Sequence, residues 1–374
     1  MKLKVLYLSF LFLVSLGLSA QDIAEIDANF RVATVGNHSV HYYDALSAPF
    51  EVTGFPWWKS GEELHRLPSE FTTKEVSDFM LVMAKCTSGG AIRFQTDSPF
   101  LAVKATYGRF SDMSHIPRSG TAGFDLFVDA PKDGSTLCGT VFPGPKAGEE
   151  GVEICLDGLR EGELLTYTLY LPLYSSLTSL EIGFKPGSRL LPPPPQKMSK
   201  AICFYGSSIT QGACASRPAN NYTTMLCRAF DAPQVNLGFS GVAQGEPAVA
   251  RAIGELKLSA FVYDYDYNAP TPEHLAKTHE SFFQIIRAAQ PELPIIILSR
   301  CTRPNPQRRD IIRRTYENAV AAGDKKVWFI DGAELFGEPG QDFCRVDAYH
   351  PNDLGFYMMY LRILPVLKEA LNMN

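Results

Sequence analysis

Several protein classes are excluded by what this sequence lacks. Basic residues are too few for a nucleic-acid or anionic-membrane surface: 35 Lys and Arg stand against 40 Asp and Glu, for a net charge of −5. No two of its eight cysteines have Cys-x-x-Cys spacing, and there is no His-Glu-x-x-His, so the common zinc and redox signatures are missing. Even the most apolar run, Val5 to Leu18, falls short of the ~20 residues a membrane span needs and has no basic stop-transfer flank. Up to about Leu191 helical periodicity is almost absent, which excludes an all-helical first half.

What is present begins with Lys2 and Lys4, the apolar run, and small residues at Ser19-Ala20. These are the three parts of a secretory signal peptide over residues 1–20, with no cysteine at the cleavage point to take a lipid anchor. The expected location is periplasmic or secreted. Three cysteines precede Pro192 and five follow it. Both counts are odd, and Cys155 and Cys203 lie in apolar runs, so mostly free, buried thiols are expected.

Residues 21–191 carry short β-like runs such as Ala91–Phe94, Leu101–Ala105, Phe124–Val128, Leu165–Tyr170 and Leu180–Phe184, separated by turn signals. They predict an all-β sandwich of jelly-roll type. The pairs Tyr42-Tyr43 and Trp57-Trp58 suggest a sugar platform, but strand neighbours face opposite ways, so ordinary packing is the expectation. Residues 192–197 open with four prolines, a semi-rigid polyproline linker. From 198 to 374 strands and helices alternate, with apolar strands at 201–205, 234–239, 260–265, 293–298 and 326–330 and a last helix from about Asp353 that Pro365 should kink or break. The expected fold class is α/β, a doubly wound, flavodoxin-like parallel sheet of five strands, preceded by the sandwich.

In such a sheet the carboxyl ends of the strands lie along one edge and form a crevice. Ser207 and Ser208 follow the first strand, Gly241 the second and Asn268 the third, while Asp347 and His350 precede the last helix. A serine hydroxyl needs a base to become a nucleophile, the base needs its second nitrogen held, and the tetrahedral oxyanion needs donors. His350 and Asp347 fit the middle roles. The N–H groups of Ser208 and Gly241 and the Asn268 amide fit the last. Each residue also has a plain structural explanation, as helix cap, turn glycine or loop ion pair. Arg300 and Arg303, beyond the fourth strand, could meet a substrate, although surface charge is the expected role.

Four segments, Gly206-Ser207-Ser208-Ile209 with Gly212, Asn236–Gly241, Asp264–Asn268 and Asp347–Pro351, resemble the four blocks of the SGNH (GDSL) hydrolases. The residue before the family's nucleophile is commonly Asp and here is Ser207. Gly123-Phe124-Asp125-Leu126-Phe127 is similar to the Gly-x-Asp-Leu-Tyr signature of the β-domain that precedes this catalytic domain in one bacterial subgroup, with Phe127 in place of Tyr. The resemblance implies Ser208 as nucleophile, His350 and Asp347 as its partners, an oxyanion hole of Ser208, Gly241 and Asn268, and no metal or organic cofactor. It also implies an exported esterase that removes acetyl groups from carbohydrate. The rival expectations are a lipase, thioesterase or peptidoglycan-directed esterase on the same site, and a non-catalytic glycan-binding protein.

Overall fold

A computed structural model describes residues 32–130, 134–337 and 341–373. The expected signal peptide lies outside the described residues.

Residues 32–191 form two antiparallel sheets. One has the order Val32–Val35, His38–Asp44, Ser176–Phe184, Phe100–Arg109, Val152–Asp157. The other runs Leu190–Leu191, Ala91–Thr96, Leu165–Tyr170, Phe124–Ala130, Gly134–Val141, with Glu51–Thr53 also paired to Ala91–Thr96. Their inner faces share one core, to which Ile92, Phe94, Leu126 and Leu169 come from one sheet and Leu101, Val103, Leu180 and Ile182 from the other. Period-two alternation produces this division. Trp58 packs at the edge of that core and Trp57 against the core of the second half, so the tryptophan pair is divided between two packing sites.

The second half is built on five parallel strands, β1 (Ala201–Gly206), β2 (Gln234–Gly238), β3 (Leu258–Asp264), β4 (Ile295–Leu298) and β5 (Val327–Ile330), in the order β2-β1-β3-β4-β5. This is the flavodoxin-like order. Continuous apolar strands suit it because both faces are covered. Cys203, Tyr205, Phe261, Tyr263, Ile295 and Ile297 meet helices Pro247–Glu255, Pro272–Ala289 and Pro306–Ala321 on one side. Ile202, Phe204, Ala260, Val262, Ile296 and Leu298 meet helices Tyr222–Phe230 and Asp353–Ala370 on the other.

That last helix continues through Pro365, so of the expected kink or break the break does not occur. Proline removes one hydrogen bond to the carbonyl four residues earlier, that of Leu361. Both Leu361 and Pro365 are exposed, so the freed carbonyl faces water. All eight cysteines are free thiols, and Cys86, Cys203, Cys214, Cys227, Cys301 and Cys344 are buried.

The two halves are joined by polar contacts that the linker does not supply. On strand Phe124–Ala130 the residues Phe124, Leu126 and Val128 point into the sandwich core, so Asp125 and Phe127 face the other way. Asp125 is fully buried and accepts from Arg217 Nη1 at 3.0 Å, Ala219 N at 2.8 Å and Thr140 Oγ1 at 2.7 Å. The Arg228 guanidinium lies 3.8 Å above the Phe127 ring. Arg66, also fully buried, donates to the carbonyls of Asn236 at 2.9 Å and Gly238 at 2.8 Å, and on its own side to those of Met83 and Cys86. Burial lowers its pKa to about 10, so it stays charged among carbonyl oxygens.

Candidate active site

Strand β1 ends at Gly206, and a short helix, Ser208–Gln211, follows at once. Gly238, at the end of β2, admits this turn: a Cβ there would lie 2.2 Å from the Gln211 nitrogen. The two adjacent serines therefore have different surroundings. Ser207 is the helix cap, 2% exposed, its hydroxyl accepting from Ile209 N at 3.2 Å. Ser208 is half-buried, and its Oγ lies 3.0 Å from His350 Nε2.

The opposite ring nitrogen of His350 lies 2.8 Å from Asp347 Oδ2. Asp347 Oδ1 accepts the N–H groups of Tyr349 at 2.7 Å and His350 at 2.8 Å, so the carboxylate is locked by its own turn. Burial alone would raise its pKa, but the His350 ring, these two N–H groups and the imidazole charge outweigh it and hold the carboxyl down at about 2. An ionised carboxylate on Nδ1 places the ring proton there and leaves Nε2 free to accept from Ser208.

Asn268 and Gly241 lie on neighbouring loops. Asn268 Nδ2 donates to the Phe239 carbonyl at 2.9 Å, tying the loop after β3 to the one after β2. Gly241 has φ +76°, and a Cβ there would meet nothing within 4 Å, so its backbone borders open space. The turn that carries Ser208 is fixed to the same loop by Gln211, whose Oε1 accepts from Ser240 N at 2.9 Å.

Arg300 is not the surface charge expected of it. Its guanidinium grips Asp266 with Nε to Oδ2 at 2.9 Å and Nη2 to Oδ1 at 2.8 Å, and lies 4.7 Å over Tyr267. Arg308 donates to the Asp266 carbonyl at 3.0 Å and to that of Ala269 at 2.8 Å. Asp266 is fully buried, so both arginines serve to hold the loop that carries Asn268. Arg303 rests over Tyr349, next to His350.

Two contributors to the site come from the sandwich and carry no motif of their own. The Tyr174 hydroxyl donates to the Ser208 carbonyl at 3.3 Å. The His115 ring lies 6.0 Å from that of His350. His115 also borders a cavity of about 470 Å³ whose lining includes Asp112, Ser114, Arg118, Ser119 and Phe142. The Gly-Phe-Asp-Leu-Phe segment was the available signal for the sandwich's involvement, because its Asp and second Phe make the contacts between the halves.

Comparison with known proteins agrees with this architecture. The model of the GDSL-like lipase/acylhydrolase family matches residues 199–368, and that of the N-terminus of SGNH-hydro-type esterases, GxDLY, matches residues 40–190. No curated protein matches the chain. A solved structure described as a GDSL-like lipase, from Bacteroides ovatus, is 28% identical with a TM-score of 0.77, covering 90% of this chain and 99% of that one. The salicylyl-acyltransferase SsfX3 of a tetracycline biosynthetic pathway is 21% identical with a TM-score of 0.74, covering 90% and 99%. The acetyl xylan esterase Est2A of Butyrivibrio proteoclasticus shares the fold at 14% identity and a TM-score of 0.55, covering 88% and 99%.

Proposed function

The chain belongs to the SGNH (GDSL-type) hydrolases, enzymes that cleave ester bonds, and from that premise we propose an exported serine esterase that removes acetyl groups from carbohydrate. The observation that carries the chemistry is the continuous line Ser208 Oγ, His350 Nε2, His350 Nδ1, Asp347 Oδ2, with contacts of 3.0 and 2.8 Å. Ser208 attacks the acetyl carbonyl as its proton passes to His350 Nε2, and Asp347 holds the imidazolium. The oxyanion is met by the N–H groups of Ser208 and Gly241 and by the Asn268 amide. His350 then returns the proton to the departing sugar oxygen, and water repeats the sequence to free acetate. This mechanism requires no metal or organic cofactor.

The carbohydrate half of the proposal is supported by the cavity beside His115. It offers charged and hydroxyl side chains with Phe142, 67% exposed, at its wall, a combination suited to a polar leaving group with apolar ring faces. The acetyl xylan esterase of the same fold is consistent with it, as a likeness of fold. Export is proposed from the first 20 residues of the sequence.

Hydrolysis of p-nitrophenyl acetate, butyrate and octanoate, with acetate release from acetylated xylan alongside, tests the reading. Turnover is expected to be highest on acetate and to fall by on the order of 10⁴-fold or more in Ser208→Ala. Preference for octanoate would replace the proposal with a lipase.

A further inference from the structure

We propose that His115, Cys214 and His350 form a site for a nitrogen- and sulfur-seeking divalent ion of the Zn²⁺ type, and that its occupancy switches the esterase off. One ligand atom from each residue lies within 4.8 Å of the other two. The three come from separate parts of the chain: the sandwich loop before Arg118, the turn after helix Ser208–Gln211, and the loop before helix Asp353–Ala370. Tertiary packing alone gathers them. Cys214 is 4% exposed and has φ +70°, a left-handed conformation uncommon for a residue other than glycine, asparagine or aspartate. Neither its thiol nor the His115 ring has a hydrogen-bond partner among the described residues.

Two imidazoles and one thiolate suit Zn²⁺, whose bonds are about 2.0–2.1 Å to nitrogen and about 2.3 Å to sulfur. A tetrahedral arrangement needs ligand atoms about 3.5 Å apart. The ligand atoms must close by up to about 1.3 Å, and the exposed His115 side chain can change rotamer to approach the other two. His350 already has Asp347 on Nδ1 at 2.8 Å, the carboxylate-histidine-metal orientation, so Nε2 is the atom presented to the ion. Cys214 binds as thiolate and its proton passes to solvent. Ser208 Oγ lies 3.0 Å from Nε2, so an ion bound to that nitrogen competes with the hydroxyl for the same lone pair. An ion there occupies the lone pair that has to accept the serine proton. The inhibitory part rests on His350 acting as the base.

Metal-free protein would be assayed on p-nitrophenyl acetate against rising Zn²⁺, with EDTA reversal, and Co²⁺ would be titrated spectroscopically in parallel. The expected results are reversible inhibition at one equivalent and a thiolate-to-cobalt charge-transfer band in the near ultraviolet. Cys214→Ala should keep the metal-free turnover, lose the band, and raise the inhibiting Zn²⁺ concentration on the order of 10²-fold. His115→Ala should raise that concentration similarly, judged against its own metal-free rate. Absence of the band in the unaltered protein, or equal inhibition of the unaltered protein and both variants, would overturn the site. A cobalt band from a protein that hydrolyses no ester when metal-free would keep the site and remove the esterase reading.

Discussion

Ser207 and Ser208 are neighbours in the chain with separate tasks, because the start of a helix turns one hydroxyl inward to cap and the other outward to the imidazole. Ser208→Ala should lower kcat by on the order of 10⁴-fold or more, since the residual rate of such variants comes only from binding and oxyanion donors. Ser207→Ala removes a cap and should cost about 1 kcal/mol in a denaturant melt while changing turnover by no more than a few-fold. Equal losses of turnover in both variants would contradict this division. Asn268→Ala should reduce kcat on the order of 10²-fold with little change in KM, as expected for a donor used mainly in the transition state. A rise in KM alone would instead make Asn268 a ground-state contact.

At the scale of elements, strand Phe124–Ala130 has two working faces. Its inner residues fill the sandwich core, and Asp125 on the other face holds the segment Arg217 to Ala219 just beyond the turn that carries Ser208. Asp125→Ala would leave Arg217, the Ala219 N–H and the Thr140 hydroxyl without their acceptor. The expected loss is about 3 kcal/mol, read by denaturant melting, since breaking a buried pair from one side strands its partners. Phe127 in place of the signature's Tyr is compatible with this face, because a guanidinium at 3.8 Å uses the ring and not a hydroxyl. Helix Asp353–Ala370 teaches a similar lesson: proline is a breaker where its lost bond is buried, and here that bond faces solvent.

For the molecule as a whole, Asp264 at the end of β3 is a buried acid under the site. Desolvation raises its pKa to about 7 even though Thr210 Oγ1 at 2.9 Å and Tyr222 OH at 3.0 Å donate to it and oppose the shift. The unfolded value is about 3.9. The folded chain therefore holds this proton more tightly than the unfolded chain, and its contribution is full below pH ~4 and lost as pH rises through about 7. Asp264→Asn should flatten the dependence of thermal stability on pH between ~4 and ~8, and should be more stable than the parent above pH ~7. A parent melting temperature that does not fall across that window relative to the variant would contradict the assignment.

The sequence by itself determined the α/β sheet, the β-rich first half and the strand-end positions of Ser208, Gly241, Asn268 and His350, because periodicity and strand order are local properties that survive without knowledge of neighbours. Only the tertiary structure decided which serine faces the imidazole, that Arg300 grips Asp266, that Arg66 spans both halves, and that His115 and Tyr174 of the sandwich stand at the site. Those facts depend on partners as far apart in the chain as Arg66 and Gly238, 172 residues, and no local pattern encodes a contact whose energy comes from burial shared between distant segments.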